Sequence, residues 1–301
     1  MDITTPAGHA LRAPTAGDAE AVAELLRARD LADLGEAEVT LADVEAEWEQ
    51  CDLEQDAWVI EDGAGELAAY AIVTGADMLV AVHPDSVGQG LGRELREEAE
   101  RQARARRLRV VRQFVPTANT AARILLLEAG WWPVHHYFRM QIALKEAPPP
   151  PPVLVRTFDA QRDTEEVWHL VQGAYSGVEG HLPQSLEGWR ATGMDKAGWD
   201  PELWLLLHDS QGIVGAALGE KGDTGQKRVG LITTLAVAHR ARGQGQGLTL
   251  LLLLLAAFKH KRLRLAEATV HGRTAAAARL FESGGMRPAR RTERWEKVLG
   301  V

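Results

Sequence analysis

The strongest constraint on this chain is a glycine-rich turn written twice. Val237-Ala-His-Arg-Ala-Arg242-Gly243-Gln244-Gly245-Gln246-Gly247 follows an apolar run and leads into a leucine-rich stretch. A second version, Val82-His-Pro-Asp-Ser-Val-Gly88-Gln89-Gly90-Leu91-Gly92, stands 155 positions earlier. Each reads as a strand, a tight turn and a helix. Backbone N–H groups of such a turn point outward at the positive end of the helix dipole, where an anion is held. Glycine is required because a Cβ would obstruct both the turn and the close approach of a ligand. Neither version ends in Gly-Lys-Ser/Thr, and neither has the G-x-G-x-x-G spacing of a dinucleotide site.

The shift of 155 also aligns Ala81-Val82 with Ala236-Val237, Arg107-Leu-Arg109 with Arg262-Leu-Arg264, Ala122 and Leu125 with Ala277 and Leu280, and Gly130 and Pro133 with Gly285 and Pro288. Such a series in one register marks a duplicated unit. Before the turn the register drifts, so that Trp58 pairs best with Trp204, as surface-loop insertions produce. A length of 301 residues suits two domains, each of about 150 residues with its own core. Pro148–Pro152 can join neither a helix nor a sheet interior and forms a semi-rigid spacer. The expected division is therefore 1–146, a linker at 147–152, and 153–301.

Each half reads as alternating strands and helices. In the first, Gly17–Arg29 is a helix, Thr40 starts a helix that Trp48 closes, and Ala57–Ile60 and Leu67–Val73 are strands joined at Asp62-Gly63. Asp77–His83 enters the turn and Gly90–Arg106 leaves it. Leu108–Val115, a helix over Asn119–Glu128 and a last strand over Tyr137–Leu144 follow. The second half repeats the order: a short strand at Leu154-Val-Arg156, a capping box at Asp163–Glu166, a helix capped by Ser185, strands over Leu203–Leu207, Ile213–Gly219 and Val229–Val237, and a helix over Gly245–His260. Leu263–Val270, Thr274–Ser283 and Arg294–Leu299 complete it. The fold class is α/β, in two tandem domains.

Composition narrows the function. A net charge of −8 argues against general nucleic-acid binding, which favours a basic face; it is compatible with a cationic amine substrate. The one cysteine, Cys51, excludes an intrachain disulfide and makes a reducing cytoplasm the expected compartment. The start lacks the pattern of a signal peptide. Leu248–Phe258 is shorter than the about 20 residues that span a bilayer, so no membrane partner is expected. His135 and His136 are adjacent on a strand and face opposite sides, and no other spacing suggests a metal.

The pattern R-x-x-G-x-G, fitted by Arg242, Gly245 and Gly247, resembles the acyl-CoA diphosphate loop of the GNAT N-acetyltransferases. The resemblance covers nearly the whole chain outside the linker. The paired arrangement, Leu11-Arg-Ala-Pro-Thr-Ala-Gly-Asp-Ala and the ending Trp295-Glu-Lys-Val-Leu are similar to mycothiol synthase and other actinobacterial tandem-GNAT proteins. The resemblance implies two GNAT domains, each a mixed, mostly antiparallel twisted sheet flanked by helices. It also implies acetyl-CoA as cosubstrate. The strand before the loop is then expected to splay from its neighbour and pair with the pantetheine amides. That places Leu235, Ala236 and Val237, or Val80, Ala81 and Val82, beside the thioester, with Gly243, Gln244, Gly245, Gln246 and Gly247, or Gly88, Gln89, Gly90, Leu91 and Gly92, around the diphosphate.

A second family element, N-x-x-A-x-x-L-Y, is met by Asn119, Ala122, Leu125 and then Leu126, and by Thr274, Ala277, Leu280 and then Phe281. The final tyrosine is often the acid that protonates the leaving thiolate. Neither Leu nor Phe can donate a proton. The first half keeps the asparagine but has Val87 at the loop arginine; the second keeps Arg242 but has Thr274. Because an arginine makes strong charge-assisted hydrogen bonds to a diphosphate, the second half is expected to be the better acyl-CoA site and the first the degenerate one.

The implied reaction is attack of a small-molecule primary amine on the thioester. A lysine-like amine has a pKa near 10.4, so its proton needs an acceptor. Candidates are Asp77, Thr234 through a water, and His271. Each also has a purely structural reading, as a solvated strand start, a β-branched strand residue and a strand-end histidine. Tyr175, His181 and Trp199 are candidates for the acceptor pocket, or for packing helices onto the sheet. A non-catalytic acyl-CoA-binding protein and an acetyltransferase of protein lysines or N-termini are the competing functions. The protein is expected as a monomer or homodimer.

Overall fold

The computed structural model describes residues 8–37, 39–178, 182–196, 198–224, 227–272 and 275–300. They form two compact units, Met1–Tyr137 with Arg290–Val301, and Phe138–Ala289. The division expected at 147–152 therefore falls inside the second unit. The reason lies in the last strand of each repeat, as set out below for each unit.

The first unit contains β1 (Ala10–Arg12), α1 (Ala19–Leu34), α2 (Leu41–Trp48), α3 (Leu53–Asp56), β2 (Ala57–Glu61), β3 (Leu67–Thr74), β4 (Asp77–Val82), α4 (Leu91–Ala105), β5 (Val110–Pro116) and α5 (Thr120–Glu128). Its sheet runs β1-β2-β3-β4-β5 and is completed by Thr292–Val298, which pairs antiparallel with Val110–Pro116. β4 and β5 are parallel; the other pairs are antiparallel. Alternation along β3 divides the core in two. Ala69, Ala71 and Val73 pack with Leu91, Leu95 and Ala99 of α4 and with Trp295 and Leu299. Tyr70 and Ile72 pack with Val22, Leu25 and Leu26 of α1 and Trp48 of α2. The helix starting at Thr40 forms as expected, with a reciprocal Thr40–Asp43 capping box, which satisfies two otherwise orphaned N–H groups.

The second unit takes in the end of β6 (Trp132–Ala143), then β7 (Arg156–Thr157), α6 (Ala160–Tyr175), α7 (Leu186–Thr192), β8 (Trp204–Asp209), β9 (Gly212–Thr224), β10 (Lys227–Val237), α8 (Gln246–His260), β11 (Leu265–His271), α9 (Ala275–Ser283) and the start of β12 (Arg287–Val298). Its sheet order is β6-β11-β10-β9-β8-β7. Met140, Ile142 and Leu144 sit in its core beside Leu250, Leu254 and Phe258 of α8. Trp204, Leu206 and Ala216 face the other way, toward Val167 and Val171 of α6 and Trp189 of α7.

Several local expectations change; among them, the strand expected over Tyr137–Leu144 is Trp132–Ala143. Leu154 is 98% exposed and the strand is Arg156–Thr157. Asp163 does not cap α6: the helix starts earlier, capped by Asp159, whose carboxylate accepts from the N–H groups of Gln161 and Arg162. Asp163 instead receives Arg156 and the Asp159 N–H, a stronger use of a buried carboxylate than a cap. The last strand is longer than expected at its start, beginning at Arg287. The repeat itself is plain in the backbone. Positive φ recurs 155 residues apart at Gly88 and Gly243, Gly90 and Gly245, Gly130 and Gly285, and even at the non-glycine pair Arg107 and Arg262.

Candidate functional site

In both units the strand entering the glycine turn leaves its parallel neighbour. β4 pairs with β5 only at Asp77 and Arg112, so Met78–Val82 run beside an opened seam. β10 pairs with β11 from Val229 to Ile232 and no further. There a bulge between Ile232 and Thr234 shifts the register against β9, and such an extra residue bends a strand out of its ladder. The expected splay is therefore present twice.

Around the first turn the described residues line a cavity of about 360 Å³, within the range of about 300–1,000 Å³ typical of small-molecule sites. Val80 and Val82 of β4 form one wall, Ser86, Val87, Gly88 and Gly90 form the turn, and Gly92 lies in the first turn of α4. The N-terminal part of α5 and Arg29 of α1 close it. Gly90 holds φ of +88° at the start of α4, where the first N–H groups of a helix have no intrahelical acceptor. Gly92 is closely packed: a Cβ there would lie 3.3 Å from Val82 and 3.4 Å from Leu125. Asn119 caps α5, accepting from Ala122 N–H at 2.9 Å and donating to Asp33 of α1 at 2.8 Å.

The first turn has Val87 at the position of the loop arginine. Arg29, Arg93 and Arg96 all reach the cavity. Arg96 is buried and donates to Glu100 at 2.5 Å, and Glu100 also receives Trp131 Nε1 at 2.8 Å and Lys297 Nζ at 2.7 Å. Burial pushes the Glu100 carboxyl up, but the hydrogen bonds from Lys297, Trp131 and Arg96 outweigh it and hold it below its ordinary value. The carboxylate thus fixes α4 and balances its cations. Leu126, at the tyrosine position, is buried in the cavity wall. Among the described residues that line the cavity there is no carboxylate, histidine or tyrosine.

The second turn is arranged differently. Arg242 donates to Ala174 O in the last turn of α6 at 2.8 Å and to Val237 O at 3.4 Å. A guanidinium at a helix C-terminus meets carbonyls that have no intrahelical partner, so this arginine ties the turn to α6. The Tyr175 hydroxyl accepts the Leu235 N–H at 3.5 Å, beyond the last β10–β11 pair; burial pushes that hydroxyl up, so it stays protonated. Phe281, at the tyrosine position here, is in the core.

The other candidate residues are spread out. Asp77 is exposed at the far end of β4, 3.9 Å from Arg112, and does not line the cavity. Thr234 is half-buried in β10 opposite Leu218, and His271 is half-buried at the end of β11. Trp199 packs edge-on against Phe158 and Trp204, a core role. His181 and Thr274 lie outside the described residues. Among the described residues no group of His, Cys, Asp and Glu is placed to hold a metal ion, and no helix is long and apolar enough to cross a membrane.

Sequence reasoning missed Arg29, Arg93, Arg96 and Gln113. Only Gln113 left a signal, as a polar residue between Val111 and Val115 on the buried face of β5. Its Nε2 donates to Val80 O across the opened seam at 3.4 Å.

Two α/β units, each with a splayed strand and a glycine turn leading into a helix, define a duplicated fold of one class. Comparison with known proteins makes this specific. The acetyltransferase (GNAT) family profile matches residues 20–131 and again 164–286. A GCN5-related N-acetyltransferase from Sphaerobacter thermophilus is 30% identical with a TM-score of 0.82, over 99% of this chain and 98% of that one. A tandem GNAT protein from the clavulanic acid biosynthesis pathway is 18% identical, TM-score 0.69, over 97% and 99%. The N-myristoyltransferase of Saccharomyces cerevisiae, solved with myristoyl-CoA, shares the fold at 12% identity and TM-score 0.62, over 96% and 78%. No curated protein sequence matches. The chain belongs to the GNAT acetyltransferase family and is an acyltransferase that uses acyl-CoA.

Proposed function

We propose that this enzyme moves an acetyl group from acetyl-CoA to the primary amine of a small molecule, and that the acyl carrier is held by the first unit. The observation that carries the placement is the cavity at Gly88–Gly92, lined by three arginines that are also ion-paired with carboxylates, and by a strand that leaves its parallel neighbour. In the second unit the corresponding arginine donates to two backbone carbonyls and a tyrosine hydroxyl takes the strand N–H. This reverses the ranking drawn from the loop arginine alone.

In this reading the amine nitrogen attacks the thioester carbonyl carbon. The tetrahedral adduct collapses with loss of the thiolate, a tolerable leaving group near neutral pH. The lining residues offer no side chain able to take the amine proton near neutral pH, so it passes to water, and the amine must arrive neutral. Kinship with mycothiol synthase-like actinobacterial proteins, a cytoplasmic location and a monomeric or homodimeric state belong to the same proposal. They rest on the sequence features given above.

Calorimetric titration with acetyl-CoA tests the placement. Arg93 is exposed, so Arg93→Ala should leave the fold intact and weaken binding about tenfold, the worth of one charged hydrogen bond. Arg242→Ala should weaken it less than threefold. The reverse order returns the site to the second unit. Thiol release with a panel of small amines then tests the acceptor class; release with lysine peptides alone would exclude a small molecule.

A further inference from the structure

We infer that Gln113 is a ligand-reading residue, which supplies the hydrogen-bond acceptor for an amide N–H of the acyl carrier's arm. The inference rests on the placement of acyl-CoA in the first unit and extends it to a particular contact.

Gln113 is 5% exposed and sits on the face of β5 that carries Val111 and Val115 into the core. An amide there needs a reason, because a buried polar group without partners costs about 1–3 kcal/mol. Half of its capacity is used: Nε2 donates to Val80 O at 3.4 Å. That bond fixes the orientation, since a carbonyl oxygen accepts and cannot donate. Oε1 therefore faces away from Val80. It is buried and has no hydrogen-bond partner, and the residue lines the cavity.

The consequence for a ligand follows from the seam. An extended arm with amide groups, laid along β4, would meet the outward N–H and C=O groups of an unpaired edge. At Val80 the carbonyl is already engaged by Gln113. The side-chain amide therefore relays the acceptor: it takes the backbone carbonyl on one side and offers its own oxygen on the other. A ligand passing this point must present an N–H, not a carbonyl or an ether oxygen. The second unit lacks the relay, because Ala268 stands 155 residues on, buried between Ala266 and Val270. The relay is thus a property of one half of the duplication.

The test is a double-mutant cycle between protein and ligand in the full-length chain. The ligands are acetyl-CoA and two analogues, each with one pantetheine amide N–H replaced by an ester oxygen. The unmodified protein should bind one of the analogues about tenfold more weakly than acetyl-CoA. Gln113→Leu should bind that analogue and acetyl-CoA with the same affinity, and Gln113→Met, which keeps the side-chain length, should do the same. Thermal unfolding without ligand checks that both variants fold. Equal discrimination by the parent and both variants, or none by the parent, overturns the inference. Arg93→Ala separates this failure from the other one. If acetyl-CoA binding ignores Arg93→Ala as well as Gln113→Leu, the placement of the carrier has failed. If it responds to Arg93→Ala and shows no coupling to Gln113, the relay alone has failed.

Discussion

Gly88 and Gly90 in the first unit, and Gly243 and Gly245 in the second, hold φ between +74° and +88°. The two turns share a backbone, and each precedes a helix of fifteen residues. Around the first, three arginines paired with carboxylates line a cavity; around the second, Arg242 reaches back to a helix C-terminus and Tyr175 covers a strand N–H. A duplicated loop thus keeps its conformation through its glycines, while the side chains placed around it come from elements many residues away and differ between the units.

The most severe way to break the comparison is to remove residues 290–301. If the two halves were divided at the prolines, the second unit would lose its last strand. In the structure it is the first unit that loses Thr292–Val298, its partner for β5, together with Trp295 and Leu299 from its core and Lys297 from Glu100. Trp295→Ala alone should cost about 3–5 kcal/mol, and the deletion should cost more. Hydrogen exchange reads the outcome: amide protection should vanish from β3 and β4 and persist in β9 and β10, with acetyl-CoA affinity lost. Loss of protection in β9 and β10 instead would restore the contiguous division.

A milder test uses a device present in each unit. The first strand's arginine grips a carboxylate at the start of the following helix: Arg12 holds Asp18 at 2.7 Å, and Arg156 holds Asp163. In the second unit, burial pushes the Asp163 carboxyl up, but hydrogen bonds from Arg156, the Asp159 N–H and Arg162 outweigh it and bring it from 3.8 down to about 2. A depressed folded value means the charged form stabilises the fold. That stability is complete above the ordinary value and is lost as pH falls through the folded one. Asp163→Asn should cost about 2 kcal/mol at neutral pH. The variant's urea midpoint should then change less than the parent's between about pH 4 and 2. An equal pH slope in both proteins would show that the pair does not stabilise the second unit.

How far the sequence could be read follows from which interactions are local. The turns, the Thr40 and Ser185 caps and the Asn119 helix start are signals within a few residues, and the structure keeps them. The repeat was legible because glycines with positive φ tolerate few replacements. The destination of the last strand was not legible. Trp295 reads equally well as the edge of either sheet, and pairing partners almost two hundred residues apart leave no trace in local periodicity. The same holds for the site. Arg29 and Arg93 are ordinary helix-surface residues until the fold brings them to one cavity, and Arg242 matches its motif while donating elsewhere. Asp163 followed the sequence pattern of a cap, but its pairing with Arg156 and Arg162 outcompeted that use.

The finest comparison is between Gly92 and Gly247, each the second residue of its helix. Replacing glycine by alanine in a helix gains about 0.4–1 kcal/mol where the backbone and neighbours allow it. At Gly247 the added Cβ would meet Leu280 Cδ2 at 3.3 Å and Val237 Cγ2 at 3.8 Å. A leucine terminus can turn aside, so Gly247→Ala should be slightly stabilising, by about 0.5 kcal/mol. At Gly92 the nearest atom is Val82 Cγ2 at 3.3 Å. Valine has one strongly preferred χ1 and its strand is fixed by β3, so it yields less. Gly92→Ala should therefore forfeit the gain in thermal unfolding. It should also push Val82 toward the cavity and weaken acetyl-CoA binding, which Gly247→Ala should leave unchanged. Matching effects at the two positions would mean that the strand edges beside the turns are equally compliant. The difference between the units would then reside only in the side chains that reach the seam.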